Sequence, residues 1–188
     1  YDAAFAREGI LRAYDLDEIF DAVEPLAHRP HIAGDRLAIV TNGGGVGVLA
    51  TDALIAQGGE LASLSPETLA KLDKVLPPTW SHGNPIDIIG DADAARYSAS
   101  LGAIAEAGEL DATLVLNCPV AVASSADAAE AVAQSKSGKP LLANWLGAQS
   151  AGRARQSFEA AGIPAYDTPE KAVRGFMHMV RYYRTQQT

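Results

Sequence analysis

Apolar positions along this chain follow two alternating rhythms. Short runs that are apolar throughout or nearly so, LAIV (37–40), ATLVL (112–116) and PLLANW (140–145), alternate with longer stretches whose apolar residues recur every three or four positions. A strand covered on both faces stays apolar along its length, so these runs predict a parallel sheet with helices on each side. The pattern places strands over 36–41, 60–64, 86–89, 112–117, 140–145 and 163–166. It places helices over 47–57, 66–74, 92–106, 124–136, 150–161 and 169–184. Ahead of them it reads helices over 2–8 and 15–27, the second opened by Asp15 and Glu18 at capping-box spacing, with a short strand over 10–13 between them. Gly58-Gly59, Pro77-Pro78, Gly90, Gly138 with Pro140, Gly147, and Gly162 with Pro164 punctuate a single doubly wound unit. The expected organisation is a helical lead-in over 1–34 and a three-layer α/β/α domain with a mainly parallel sheet over 35–188.

The most informative stretch is RLAIVTNGGGVGVLATDAL, residues 36–54, where an apolar strand meets a glycine cluster and then an apolar helix. Gly43, Gly44, Gly45 and Gly47 let the backbone turn tightly and leave the amides of the following helix start free to face an anion. Asn42, Gly43, Gly44, Gly45, Val46, Gly47 and Val48 are therefore the candidate phosphate seat, and an ordinary tight turn is the plain alternative. A dinucleotide fingerprint fits poorly, because no acidic residue stands at the tip of the second strand, and a Walker A loop fails for want of Gly-Lys-Ser/Thr.

Composition narrows the picture. At 188 residues and 48% hydrophobic the chain can bury a core, and 15 basic against 23 acidic side chains argue against nonspecific nucleic-acid or anionic-membrane binding. No stretch is apolar and long enough to span a bilayer, and the first residues are not a signal peptide, so the expected location is the cytoplasm. The single cysteine, Cys118, excludes an internal disulfide framework and, with scattered histidines, leaves no expected metal site; after LVLN it reads as a buried, apolar-like residue. The chain opens inside a helical pattern and ends without a stop signal, which reads as a piece of a longer polypeptide.

The loop LPPTWSHGNPIDIIGD, residues 76–91, sits where ligands bind in open sheets. It supplies auxiliary candidates in His82, Asn84 and Asp87, beside Thr41 at the sheet edge. His82 could accept a phosphoryl group or act as a general base, against the plainer reading of an exposed loop histidine. Asp87 and Asp91 could orient a partner loop, but two carboxylates do not specify a metal. Thr51 and Asp52 read as surface polar residues, and His28, His31 and His178 as structural or exposed. Ser150, Arg153 and Arg155 follow a glycine turn where the arginines could reach a phosphate or simply line a solvated helix face. No residue is assigned as catalytic.

Taken together, TNGGGVGVLATDAL, LPPTWSHGNPIDIIGDA, the strand ending NCP, PLLANWLGA and AGIPAYDTPEKAV resemble the NDP-forming acyl-CoA synthetases. They look like the second of that family's two ligase-type, succinyl-CoA-synthetase-like domains, which are flavodoxin-like in fold. TNGGG, WSHGNPIDI and the tail RYYRTQQ are most similar to fusions carrying a GNAT-type protein lysine acetyltransferase domain. The resemblance implies a parent built of CoA-binding, ligase and ATP-grasp domains that uses CoA or acyl-CoA, phosphate and ATP/ADP with Mg, and this domain alone is expected to be inactive. A phosphohistidine carries the phosphoryl group in that family, and two helices point their N-termini at it; residues 42–47 with the helix near Val48 match the helix of the second domain. The histidine itself belongs to the other ligase domain, in a loop whose counterpart here is 147–155 and holds no histidine; His82 does not match it. Three readings follow: the synthetase-like half of a protein lysine acetyltransferase, a domain of an active ADP-forming acyl-CoA ligase, or a non-catalytic sensing or interaction module.

Overall fold

The computed structural model describes residues 1–27 and 31–186; His28 and the last residue of RYYRTQQ lie outside them. Six parallel strands form one sheet: β1 (Arg36–Thr41), β2 (Glu60–Leu61), β3 (Ile86–Asp87), β4 (Ala112–Asn117), β5 (Leu141–Trp145) and β6 (Ala165–Tyr166). Their order is β2-β1-β4-β5-β6, and β3 pairs with the end of β1. Helices α1 (Asp2–Arg7) and α2 (Leu16–Ala27) precede β1. Helices α3 (Gly44–Ala56), α4 (Pro66–Val75), α5 (Ala94–Ile104), α6 (Ser125–Ala133) and α7 (Ala148–Ala161) connect the strands, and α8 (Pro169–Gln186) follows β6.

The central strands are apolar throughout because each feeds two cores. On β1, Ala38 and Val40 pack with Tyr97, Leu101, Val132 and Phe158 of α5, α6 and α7, whereas Leu37 and Ile39 pack with Leu54, Val173 and Phe176 of α3 and α8. The period-two alternation of a strand directs neighbouring residues to opposite faces, and here both faces are covered. The three-layer expectation holds.

Boundaries differ where local signals compete. Strands 60–64, 86–89 and 163–166 shrink to two-residue pairings, because β2, β3 and β6 each meet a partner over only two positions. Helix α3 begins at Gly44, not residue 47, because packing on the sheet outweighs the poor helix propensity of glycine. Residues 10–13 form no strand. A strand exists only by pairing, and no neighbouring strand lies beside them among the described residues. Asp15 does start α2, its Oδ1 accepting from Glu18 N at 2.7 Å while Glu18 Oε2 accepts from Tyr14 N at 2.6 Å.

β2 and β3 cover only the two ends of β1, and the Asn84 side chain closes the gap between them. Its Oδ1 accepts from Ile39 N at 2.9 Å, and its Nδ2 donates to Leu37 O and Ala62 O, both at 2.9 Å. An unpaired buried peptide group costs about 1–3 kcal/mol, so Asn84→Ala is expected to lower unfolding free energy by roughly 3 kcal/mol in urea titration. A smaller ionic contact caps α4. Burial pushes the Glu109 carboxyl pKa up, but hydrogen bonds from Thr68 Oγ1 (2.6 Å) and Ser65 N (3.0 Å) outweigh it and hold the pKa at about 2. The ionised form is thus favoured by folding: its stabilisation is full above the ordinary value of 4.5 and is lost as pH falls toward 2. Glu109→Gln should lower Tm at pH 7, and the deficit should shrink in scans near pH 2.5.

Candidate functional site

At the carboxyl end of β1 the chain closes on itself before entering α3. Thr41 Oγ1 accepts from Gly43 N and donates to Gly43 O, each at 3.0 Å. Asn42 turns its buried amide toward β4, where Nδ2 donates to Cys118 O at 2.9 Å and Oδ1 accepts from Cys118 N at 2.7 Å. This reciprocal pair mimics a peptide and extends the β1–β4 ladder by one rung. It also brings the Cys118 thiol onto Gly43, so close that a Cβ there would lie 2.5 Å from Sγ.

That contact, not a left-handed backbone, explains the first glycine. Gly43 has φ −142°, and none of Gly43, Gly44, Gly45 or Gly47 has positive φ. Gly47 is required by packing, since a Cβ would meet Thr41 Cγ2 at 3.0 Å and Pro85 Cβ at 3.3 Å. At Gly45 a Cβ would meet nothing within 4 Å. The expectation that glycines serve the turn is thus corrected to close approach at two positions and open space at a third.

The free amides number fewer than the seven-residue stretch. Gly43 N is taken by Thr41, and Val46 N and Gly47 N bond back to Gly43 O at 3.1 and 3.2 Å. Val48 lies in the second turn of α3. Among the described residues the amides of Gly44 and Gly45 have no hydrogen-bond partner, and both residues are exposed. They form the positive end of a 13-residue helix that has no side-chain cap.

The 76–91 loop delivers one carboxylate to this spot. Ile88 N donates to Thr41 O at 2.8 Å, and Ile89 N donates to Asp87 Oδ1 at 2.9 Å, with Ile89 held at φ +71°. Positive φ is strained for a β-branched side chain, and this strain is borne where the loop passes the glycine turn. Asp87 Oδ2 lies 3.0 Å from where a Cβ of Gly44 would stand. The structure therefore gathers Thr41, Asn42, Gly43, Gly44, Gly45 and Asp87, with the Thr41 and Asn42 side chains committed to the backbone.

Other candidates are drawn elsewhere. His82 Nδ1 lies 3.0 Å from Asp73 Oδ1 and Nε2 lies 3.0 Å from Pro78 O, beside the Trp80 ring in an exposed setting. Asn84 serves the sheet, and Asp91 pairs with Arg96, which holds its carboxyl below the usual range. Thr51 donates to Gly47 O, and Asp52 is exposed. Ser150 bonds back to Leu146 O, Arg155 pairs with Asp167, and Arg153 is exposed. His31 is exposed against the edge of Tyr183. His178 is buried in α8 with Nε2 3.4 Å from Glu18 Oε1, and burial lowers its pKa. Cys118 is half-buried, its thiol pushed up by burial and by the charge of Asp87. Its contact with Gly43 is the feature that sequence reading misses; the NCP that ends β4 was the available signal.

The family described as Ligase-CoA domain matches residues 37–187. The chain belongs to that family. The chain is 36% identical over 186 residues to acetate–CoA ligase [ADP-forming] I subunit alpha of Pyrococcus furiosus, covering 97% of this chain and 40% of that protein. Among solved structures it superposes on the apo form of dinucleotide forming acetyl-coenzyme A synthetase 1 of Ca. Korarchaeum cryptofilum with a TM-score of 0.90 and 31% identity, over 100% of this chain and 42% of that one. The same enzyme in complex with phosphate and ADP gives 0.90 and 31% over 100% and 41%. The chain thus spans about two fifths of the length of these relatives.

Two substitutions separate the roles of the glycines. Gly43→Ala is expected to force Cys118 aside and lower Tm, whereas Gly45→Ala should leave stability unchanged or raise it by about 0.5–1 kcal/mol through helix propensity, both read by thermal unfolding.

Proposed function

We propose that this Ligase-CoA domain works within an ADP-forming acyl-CoA synthetase-like protein and that the N-terminus of α3 receives a phosphoryl group there. The observation that carries the reading is the pair of exposed, unpartnered amides at Gly44 and Gly45 on an uncapped helix. Each hydrogen bond from a neutral donor to an anion contributes about 1.5–3 kcal/mol, and the helix end adds about 0.3–1 kcal/mol. Two such bonds at a solvent-facing site give an affinity on the order of millimolar, suited to a transient phosphoryl group delivered by another domain. The phosphate bound by the Korarchaeum relative supports the same ligand class.

Within this reading the open seat favours a ligase that turns over acyl-CoA, phosphate and ADP, with CoA-binding, ligase and ATP-grasp domains as partners. The narrower reading, the synthetase-like half of a protein lysine acetyltransferase with a GNAT-type domain, rests on the forms TNGGG, WSHGNPIDI and RYYRTQQ. The described residues offer no group of three His, Cys, Asp or Glu able to hold a metal ion. Among the described residues no helix is long and apolar enough to cross a membrane.

Calorimetric titration with inorganic phosphate and acetyl phosphate tests the seat. Saturable binding is expected, weakened at least tenfold by Gly45→Val, whose side chain enters open space without disturbing the core. Equal binding by both proteins, or none by either, would overturn it. Asp87 repels the same anion, at a cost of about 0.7 kcal/mol for unit charges some 6 Å apart in water, so Asp87→Asn should tighten phosphate binding about threefold in the same titration.

A further inference from the structure

Helix α2 turns two of its four charged residues inward: Glu18 and Asp21 are buried against α8, where Arg174 Nε donates to Asp21 Oδ2 at 2.6 Å. Its four larger apolar residues ahead of Pro25 face outward, with Leu16 73%, Ile19 44%, Phe20 69% and Val23 57% exposed. Their i, i+3, i+4, i+7 spacing is the stripe by which a helix covers a core.

The occupant of that stripe can be read from a duplication inside the chain. Phe5, Gly9 and Ile10 match Phe158, Gly162 and Ile163 without a gap, and in the same register Asp15 caps α2 by accepting from Glu18 N as Thr168 caps α8 by accepting from Lys171 N. The backbone repeats with them. Gly9 and Gly162 have φ of +70° and +68°, and Ile10 N donates to Phe5 O at 2.8 Å as Ile163 N donates to Phe158 O at 2.9 Å. In the second copy this helix end leads into β6, which pairs with β5, and then into α8. Counted from the first helical residue, Leu16, Ile19, Phe20 and Val23 correspond to Pro169, Ala172, Val173 and Phe176. All four are buried, and the last three pack in the core that includes Leu37, Ile39 and Leu114 of the sheet. The exposed stripe of α2 thus occupies the sheet-facing positions of its counterpart.

We infer that residues 1–27 are the closing helix–strand–helix unit of a second doubly wound domain, with residues 10–14 adding an edge strand to that domain's sheet and the Leu16, Ile19, Phe20, Val23 stripe covering its face. A second copy of this chain does not fit as occupant. The strand that residues 10–14 would join is the counterpart of β5, and in every copy β5 already holds β6 on that side while helices cover both sheet faces. The family match beginning at residue 37 leaves this unit outside the Ligase-CoA domain. Helix α2 then joins two domains rigidly, through ion pairs to α8 on one side and apolar contact with a sheet on the other. The inference is independent of the phosphate seat.

Hydrogen exchange on the complete natural polypeptide carrying this sequence, with the 188-residue chain as reference, tests it. The amides of Leu11 and Ala13 are expected to exchange freely in the 188-residue chain and about 100-fold more slowly in the complete polypeptide. Phe20→Asp, or Phe20→Ala where the charge prevents folding, should abolish that protection while the amides of β1 and β4 keep theirs. Equally fast exchange in both proteins, or protection that survives both substitutions, would overturn the inference. So would a concentration-dependent dimer of the 188-residue chain that Phe20→Asp dissociates, which would assign the stripe to a second copy.

Discussion

The amide of Asn84 is the bond on which the geometry of this domain turns. Strand β1 is flanked by β2 at its start and β3 at its end, and between them Ile39 N and Ala62 O would face an apolar interior unpaired, as would the second lone pair of Leu37 O, which already accepts from Ala62 N. A single side chain satisfies all three, which is possible because a carboxamide carries the donor and acceptor of a peptide side by side. Anchoring the 76–91 loop here also fixes Pro85 against Gly47 and sets β3 so that Asp87 arrives beside Gly44. The Asn42 side chain repeats the device on the other side of β1, where it pairs with the Cys118 backbone. Two side-chain amides acting as surrogate peptides thus hold the end of β1 still while α3 departs from it with two amides unspent.

This arrangement places function and stability on different atoms of the same short segment. The side chains of Thr41, Asn42 and Asn84 are fully engaged in holding the turn, and what remains for a ligand is backbone. A backbone site is insensitive to side-chain chemistry but sensitive to bulk, which is why space at Gly45 matters more than the identity of the polar residues around it. The neighbouring carboxylate of Asp87 opposes an anion, so the seat suits a group presented by another domain rather than one captured tightly from solution.

Much of the fold is legible in the sequence because β1, β4 and β5 are buried on both faces and show it as unbroken apolar runs. The two-residue strands are less so, since their pairing is decided by neighbours far along the chain. The early start of α3 runs against glycine's propensity and reflects packing of Gly47 on Thr41 and Pro85. Residues 10–13 carry a strand's pattern without a strand's partner among the described residues, the conflict from which the second domain is inferred. For the site, the glycine cluster marks the place correctly, but the free donors reduce to Gly44 and Gly45 because the turn consumes the rest. Neither the role of Asn84 nor the Cys118–Gly43 contact could be read locally, as each joins segments more than 40 residues apart.

The central claim is that two particular amides, and not the basic side chains of the surface, receive the phosphoryl group. The most direct measurement is the change in backbone amide NMR shifts as inorganic phosphate is added to the 188-residue chain. Saturating shifts concentrated at Gly44 and Gly45, with β1 and β4 undisturbed, are what the account predicts. Shifts confined to arginine and lysine positions, with Gly44 and Gly45 unmoved at saturating phosphate, would contradict it.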